Sequence, residues 1–256
     1  MLPELRFFSW SLSSYFLIQS LIFVGAILYW NWRLHKEKMN VDFGLNLGLA
    51  LLLSGFIGAR VFHIYFEAWD FYKEHPLRML QFWYGGFVYY GGLIGGFLGG
   101  LGYLQWMKFR GKKQRPWGVW ADYLAPALSL SYAAGRFGCF MNGCCFGQSC
   151  PFPWAVQGLH PTQLYAMLME LTWFAVVFLY LQKTTFFAKR NQPGVLFCLW
   201  ILGHAAGRIV MEMFRDDPRG PELWGQSVST WVSVGLILAA MTYLVRTILP
   251  APARTP

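Results

Sequence analysis

The sequence predicts an all-α, polytopic membrane fold of about seven transmembrane helices forming one domain, 1–256. Three observations carry this expectation. Hydrophobic residues make up 56% of the 256 positions and charged residues only 13%, a balance outside that of ordinary soluble domains. The apolar residues fall into runs of spanning length, about 20 residues each. Between the runs, lysines and arginines alternate from sparse to dense, loop by loop.

The runs are read at roughly 12–32, 44–66, 85–107, 117–134, 161–182, 194–213 and 227–248. The first has a weak positive flank, is too long for a signal-peptide core and lacks a small-residue cleavage site, so it is read as a retained helix. The second closes on Gly58-Ala59-Arg60-Val61-Phe62-His63-Ile64-Tyr65-Phe66-Glu67, in which Arg60, His63 and Glu67 recur at one-turn spacing. That row suits a polar interior, although a histidine such as His63 is more often structural. The third opens on Tyr89-Tyr90 and carries Gly91-Gly92-Leu93-Ile94-Gly95-Gly96-Phe97-Leu98-Gly99-Gly100, a small-xxx-small pattern that admits a neighbouring helix closely, or a lipid headgroup. The fourth is the shortest, and it leads into Gly135–Gly147 at the membrane surface. The fifth starts at His160-Pro161-Thr162-Gln163-Leu164-Tyr165, where a proline suits the first helical position. The sixth bears Arg208 and Glu212 four residues apart on one face.

Six basic residues fall on one side of the membrane (Arg6, Lys73, Arg78, Arg136, Arg215 and Arg219) and thirteen on the other, five of them within 108–115. The basic side is cytoplasmic by the positive-inside rule, so the N-terminus lies outside and the C-terminus inside. Gly135–Gly147, the 67–83 loop and the 214–226 loop then share the outer face. The net charge of +9 is accounted for by cytoplasmic loops beside anionic headgroups, and no nucleic-acid partner is expected. No repeat or low-complexity tract divides the chain.

Gly135-Arg136-Phe137-Gly138-Cys139-Phe140-Met141-Asn142-Gly143-Cys144-Cys145-Phe146-Gly147 is the most informative stretch. An arginine at lipid depth costs roughly 2.5–3.5 kcal/mol on insertion scales and is expected to face a partner or a wet cavity. Arg60 and Arg208 repeat the signal. Two guanidinium groups make a strong phosphate clamp, and a helix start near Thr162 adds a positive dipole end; His160 alone is equally a helix-end residue. For Arg208 and Glu212, a purely structural ion pair is the competing reading. Cys139, Cys144, Cys145, Cys150 and Cys198 lack the two separated pairs usual for zinc, so no metal is expected. Cys144 or Cys145 with Cys150 is a possible disulfide in an oxidising compartment; packing of small side chains in a tight loop is the plainer reading.

Taken in order, Gly58-Ala59-Arg60, Gly91-Gly92-Leu93-Ile94-Gly95, Gly135-Arg136-Phe137-Gly138 through Asn142 and Gly147, His160-Pro161-Thr162-Gln163-Leu164-Tyr165, and Arg208 with Glu212 and Phe214-Arg215 resemble the bacterial prolipoprotein diacylglyceryl transferases over about residues 12–248. The resemblance implies an enzyme of the bacterial cytoplasmic (inner) membrane with its site toward the outer face. It implies transfer of a diacylglyceryl group from phosphatidylglycerol to the lipobox cysteine thiol of a preprolipoprotein. A thioether forms, glycerol phosphate leaves, and no cofactor is needed. Arg136 and Arg208 would bind the headgroup phosphate and stabilise the leaving anion. Asn142 and Gly147 would shape the headgroup pocket, Tyr15 of Ser13-Ser14-Tyr15 would line the lipid site, and Glu212 would orient Arg208. Arg60 and His160 complete the expected substrate-binding set.

Three departures from the family pattern involve four positions. Tyr90 stands where many members carry a histidine proposed as base. Cys139 and Cys144 replace an asparagine and an acidic residue. Ala166 replaces a glutamate, with Glu170 one turn later. A phenol with a pKa of about 10 is a poor base at neutral pH unless a neighbouring cation lowers it, so either Tyr90 hydrogen-bonds to the headgroup and the base lies elsewhere, or the positive field of the arginines activates the thiol. Two other readings compete: a fold relative with a different lipid or acceptor, and an anion transporter lined by Arg60, Arg208 and Glu212.

Overall fold

The computed structural model describes residues 4–7, 10–82, 85–112, 115–180, 192–215 and 222–248. Its helices are α1 (Ser14–Lys36), α2 (Val41–Phe62, continued by a wide turn His63–Glu67), α3 (Trp69–Glu74), α4 (Tyr89–Phe109), α5 (Trp117–Met141), α6 (Thr162–Phe174, continued by Ala175–Tyr180), α7 (Val195–Glu212) and α8 (Val228–Ile248). Two small antiparallel hairpins, β1 (Glu4–Phe7) with β2 (Trp10–Ser13) and β3 (Glu222–Leu223) with β4 (Gln226–Ser227), are the only strands among the described residues. The architecture is mostly helical. Among the described residues, five helices are long and apolar enough to cross a membrane, within α1, α2, α6, α7 and α8. Helices α4 and α5 fall outside that group because glycine, tyrosine and serine extend them without adding hydropathy. Leu28, Ile57 and Leu238 are each more than 55% exposed, as suits side chains that meet lipid rather than water.

The chain divides into two compact units, one of residues 1–30, 118–217 and 233–256, the other of 31–117 and 218–232. The first unit is built around Ala125, Val177, Phe178, Trp200, Ile201 and Ala240. Its helix register follows from side-chain contacts. Tyr29 Oη donates to the Tyr123 carbonyl at 3.1 Å, and Ile18 and Tyr15 reach Gly138, so α1 runs antiparallel to α5. Near the start of α5, Asp122 accepts from the backbone N–H groups of Gly194 (2.7 Å) and Phe197 (2.9 Å) and so caps the first turn of α7. Further along, the Tyr132 and His204 rings meet edge to face at 4.6 Å. Helices α5 and α7 therefore run in the same direction.

Helix α6 runs against both. Its Glu170 is 4% exposed and accepts from Ser129 Oγ of α5 at 2.7 Å and from Trp200 Nε1 and His204 Nδ1 of α7 at 2.6 and 2.8 Å. One carboxylate thus joins three helices in the apolar core.

In the second unit α2 and α4 pack antiparallel, glycine against glycine. A β-carbon at Gly58 would collide with the Gly91 carbonyl, and one at Gly95 would lie 2.9 Å from the Gly58 Cα. The α4 glycine run was legible in the sequence; its partner positions Gly55 and Gly58 are what the structure adds. Gly58→Val is expected to cost about 1–3 kcal/mol by overpacking, read as a lower thermal midpoint in detergent. An unchanged midpoint would show that the helices can separate without loss.

Candidate functional site

Helix α5 continues through Arg136 to Met141, about two turns beyond the apolar run that ends near 134. Gly135, Arg136 and Gly138 are therefore helical, a correction to their expected place in a surface loop. The additional turns form because Asn142 N–H still donates to the Gly138 carbonyl at 3.0 Å and Cys144 N–H to that of Cys139 at 3.2 Å. The chain then reverses at Gly143 (φ 76°) and Cys145 (φ 68°), both left-handed. Arg136 rises from the last full turn with its guanidinium carbon 4.9 Å over the Tyr132 ring, a cation–π contact that fixes its direction. Tyr15 packs on the neighbouring Gly138, close enough that an added β-carbon there would touch its ring at 3.4 Å.

Arg208 is 7% exposed, and its Nη1 pairs with Glu212 Oε2 at 2.6 Å. Its level relative to Arg136 follows from the helix register. Tyr132 contacts His204, and each arginine lies four residues further along its own helix, about 6 Å of rise. Beyond them the Gln148 N–H donates to the Phe214 carbonyl at 2.9 Å and Gln148 Nε2 to that of Arg215 at 3.2 Å. Contacts on both sides bracket the two arginines at one end of the first unit. That end also holds Asn142, Gly147, His160 and Glu212.

The 142–161 segment is pinned from below by the start of α6. Thr162 Oγ1 donates to the Cys145 carbonyl at 2.7 Å and Gln163 Nε2 to the Cys144 carbonyl, and both residues are fully buried. Gly147 N–H donates to the His160 carbonyl at 2.8 Å, and a β-carbon at 147 would strike the Phe214 carbonyl. His160 Nδ1 is 3.1 Å from Tyr165 Oη, which also accepts from Trp154 Nε1 at 2.9 Å. His160 thus holds the loop to its helix. Pro161 precedes α6, which begins at Thr162, one residue later than read from the sequence.

Arg60 and Tyr90 belong to the second unit. The Arg60 guanidinium donates to the carbonyls of Arg78, Met79, Gln81, Gly85 and Gly86, which engages all five of its N–H groups. His63 Nδ1 pairs with Glu67 Oε2 at 2.7 Å along the row the sequence suggested. Tyr90 is buried in the first turn of α4, with its ring centroid 5.6 Å from that of Tyr89.

All five cysteines are free thiols, Cys150 included, so the possible disulfide of Cys144 or Cys145 with Cys150 is not formed. Instead the sulfurs of Cys139, Cys144 and Cys145 lie within 4.8 Å of one another. Hydrogen bonds from Cys139 and then Cys144, followed by the charges of Arg215 and Arg136, hold the Cys145 thiol below its ordinary value. Sequence reasoning missed Tyr132, Gln148, Thr162, Gln163 and His204. Only the Thr-Gln pair after Pro161 carried a sequence signal, as part of a motif already noted.

A family model described as prolipoprotein diacylglyceryl transferase matches residues 4–246. Relatives named phosphatidylglycerol--prolipoprotein diacylglyceryl transferase include one from Trichormus variabilis, 29% identical over 94% of this chain and 88% of its own. One from Nitrosomonas europaea is 30% identical over 90% and 84%. A third, from Synechocystis sp., is 30% identical over 92% and 86%.

Proposed function

The chain belongs to the prolipoprotein diacylglyceryl transferase family, and from that premise we propose that it moves the diacylglyceryl group of phosphatidylglycerol onto a lipobox cysteine of a preprolipoprotein. The thiolate attacks the glyceryl carbon, the carbon–oxygen bond to phosphate breaks, and glycerol phosphate departs with the electron pair. Arg136 and Arg208 hold the phosphate and stabilise the charge that develops on its leaving oxygen. Glu212 fixes the direction of Arg208, Asn142 and Gly147 shape the headgroup pocket, and Tyr15 lines it from α1. His160 keeps the 142–161 loop seated. Arg60 holds the carbonyls of Arg78, Met79, Gln81, Gly85 and Gly86 in the second unit, and a role for the Tyr90 phenol in headgroup binding is left to direct test. The protein works as one domain of seven membrane helices in the bacterial cytoplasmic membrane, N-terminus outside, C-terminus inside, with the site toward the outer face.

The observation that most supports this reading is the matched level of Arg136 and Arg208 on two helices that run in the same direction, α5 and α7. The test is release of glycerol phosphate by purified protein given phosphatidylglycerol vesicles and a lipobox peptide. Release with another acceptor alone would move the assignment to a different transferase, and anion flux without release would make the protein a transporter. Tyr90→Phe removes the phenol oxygen while keeping the ring. A loss of tenfold or more, roughly 1.4 kcal/mol, is expected if that oxygen touches the headgroup; unchanged turnover would reduce Tyr90 to packing.

A further inference from the structure

We propose that Cys139, Cys144 and Cys145 hold one zinc(II) ion through three sulfurs and leave its fourth position for the acceptor thiol. The proposal rests on the transferase reading for the identity of that thiol, but not for the metal site itself.

The spacing of these cysteines does not match a zinc finger, because no second pair exists in the sequence. The fold supplies what the spacing lacks. Cys139 sits on the last turn of α5, and the left-handed residues Gly143 and Cys145 fold the chain back so that all three sulfurs fall within 4.8 Å. Zinc–sulfur bonds of about 2.3 Å at tetrahedral angles need sulfurs about 3.8 Å apart, which fits that envelope. The Cys144–Cys145 sulfurs, at 2.9 Å, need to part by about 1 Å, within reach of side-chain rotation.

Two features separate this cluster from simple packing. The carbonyls of Cys144 and Cys145 are gripped by the buried Gln163 and Thr162, so the loop is held in place without any metal. The three side chains are only half-buried, which leaves room for a fourth ligand. A disulfide between Cys144 and Cys145 is disfavoured, because adjacent Cα atoms are about 3.8 Å apart across a trans peptide and disulfides usually need about 4.4–6.8 Å. Three thiolates and Zn²⁺ carry a net single negative charge, and the nearby Arg136 and Arg215 guanidinium groups offset it.

Zinc is the fitting ion because it is thiophilic, takes three protein ligands with one open position in reactive sites, and undergoes no redox change. The acceptor thiol displaces water from the fourth position and gives its proton to solvent, since a coordinating thiol is deprotonated outright. The bound thiolate then attacks the glyceryl carbon, and glycerol phosphate leaves with the oxygen and its electron pair. Zinc returns to water unchanged. Tyr90 then need not accept the thiol proton.

The experiment uses the full-length protein in detergent. Metal content is measured, and cobalt(II) is then loaded in place of zinc to read sulfur-to-metal charge transfer. About one zinc per chain and a charge-transfer band are expected. Both should be lost in Cys139→Ser, Cys144→Ser and Cys145→Ser, and kept in Cys150→Ser and Cys198→Ser. Adding a lipobox peptide should shift the cobalt spectrum, its serine counterpart should not, and chelation should stop glycerol phosphate release until zinc is restored. Absence of the band, its survival in the three serine variants, or a disulfide within the trio in freshly purified protein overturns the site. A spectrum unmoved by the thiol peptide, with release insensitive to chelation, overturns the role of the open position. A site that binds zinc and shifts with the peptide while no glycerol phosphate is ever released upholds the metal site and overturns the transferase reading instead.

Discussion

Arg136→Ala is expected to lower glycerol phosphate release by a hundredfold to a thousandfold or more while leaving the protein folded in membranes. Removing one preorganised donor to a developing oxyanion typically costs about 2.7–4 kcal/mol, and a guanidinium on phosphate supplies two such bonds together with a full charge. Arg136 is part-buried and rests on the Tyr132 ring, so thermal midpoints must accompany the rates to separate lost packing from lost phosphate contact. Arg136→Lys should recover only part of the rate, because a point charge cannot reproduce a two-pronged contact. The corresponding change at Arg208 is less clean. Alanine there leaves the Glu212 carboxylate without its 2.6 Å ion pair, so activity and stability should fall together. Initial rates with phosphatidylglycerol vesicles and a lipobox peptide, alongside thermal midpoints in detergent, separate the two cases. Release by Arg136→Ala within tenfold of wild type would remove Arg136 from the phosphate site.

The helices were legible in the sequence because hydropathy alone marks segments that must satisfy their own backbone groups in lipid. A described helix overlaps each predicted run, the first ending four residues later, the second displaced by about three residues at its start and the fourth reaching Met141. The fourth was read too short because hydropathy registers lipid contact, whereas Arg136 and Gly138 continue the helix through backbone bonding that polarity does not interrupt. Arg136, Arg208 and Glu212 stood out as charges in greasy surroundings. Tyr132 and His204 did not, since an aromatic residue and a histidine inside apolar helices give no signal until the register of α5 against α7 is known. The mutual approach of Cys139, Cys144 and Cys145 gave no signal in the sequence for a related reason. Ligand spacing rules assume a small loop between ligands, and here a helix end followed by two left-handed residues closes the distance instead.

Glu170→Ala should be the most destabilising single substitution at the α5–α6–α7 junction, by about 3–5 kcal/mol. The three hydrogen bonds alone do not justify that figure. Polar contacts between membrane helices average about 0.6 kcal/mol each, which would give a loss of about 2 kcal/mol. The larger cost arises from what remains: Ser129 Oγ, Trp200 Nε1 and the His204 ring keep their polar groups in a site where Ser129 and Trp200 are wholly buried. Each buried donor left without an acceptor costs about 1–3 kcal/mol. Glu170→Gln tests this account. It retains one acceptor oxygen but turns an amide N–H₂ toward groups that themselves donate, so an intermediate loss of about 1–3 kcal/mol is expected. Thermal midpoints in detergent should therefore rank wild type above Gln above Ala. The effect should reach catalysis as well, because His204 steadies the Tyr132 ring on which Arg136 rests. In the surviving folded fraction of Glu170→Gln, kcat should fall more than KM rises. Equal stability of the alanine variant and wild type would show that the junction is held by its apolar packing, with the buried carboxylate dispensable.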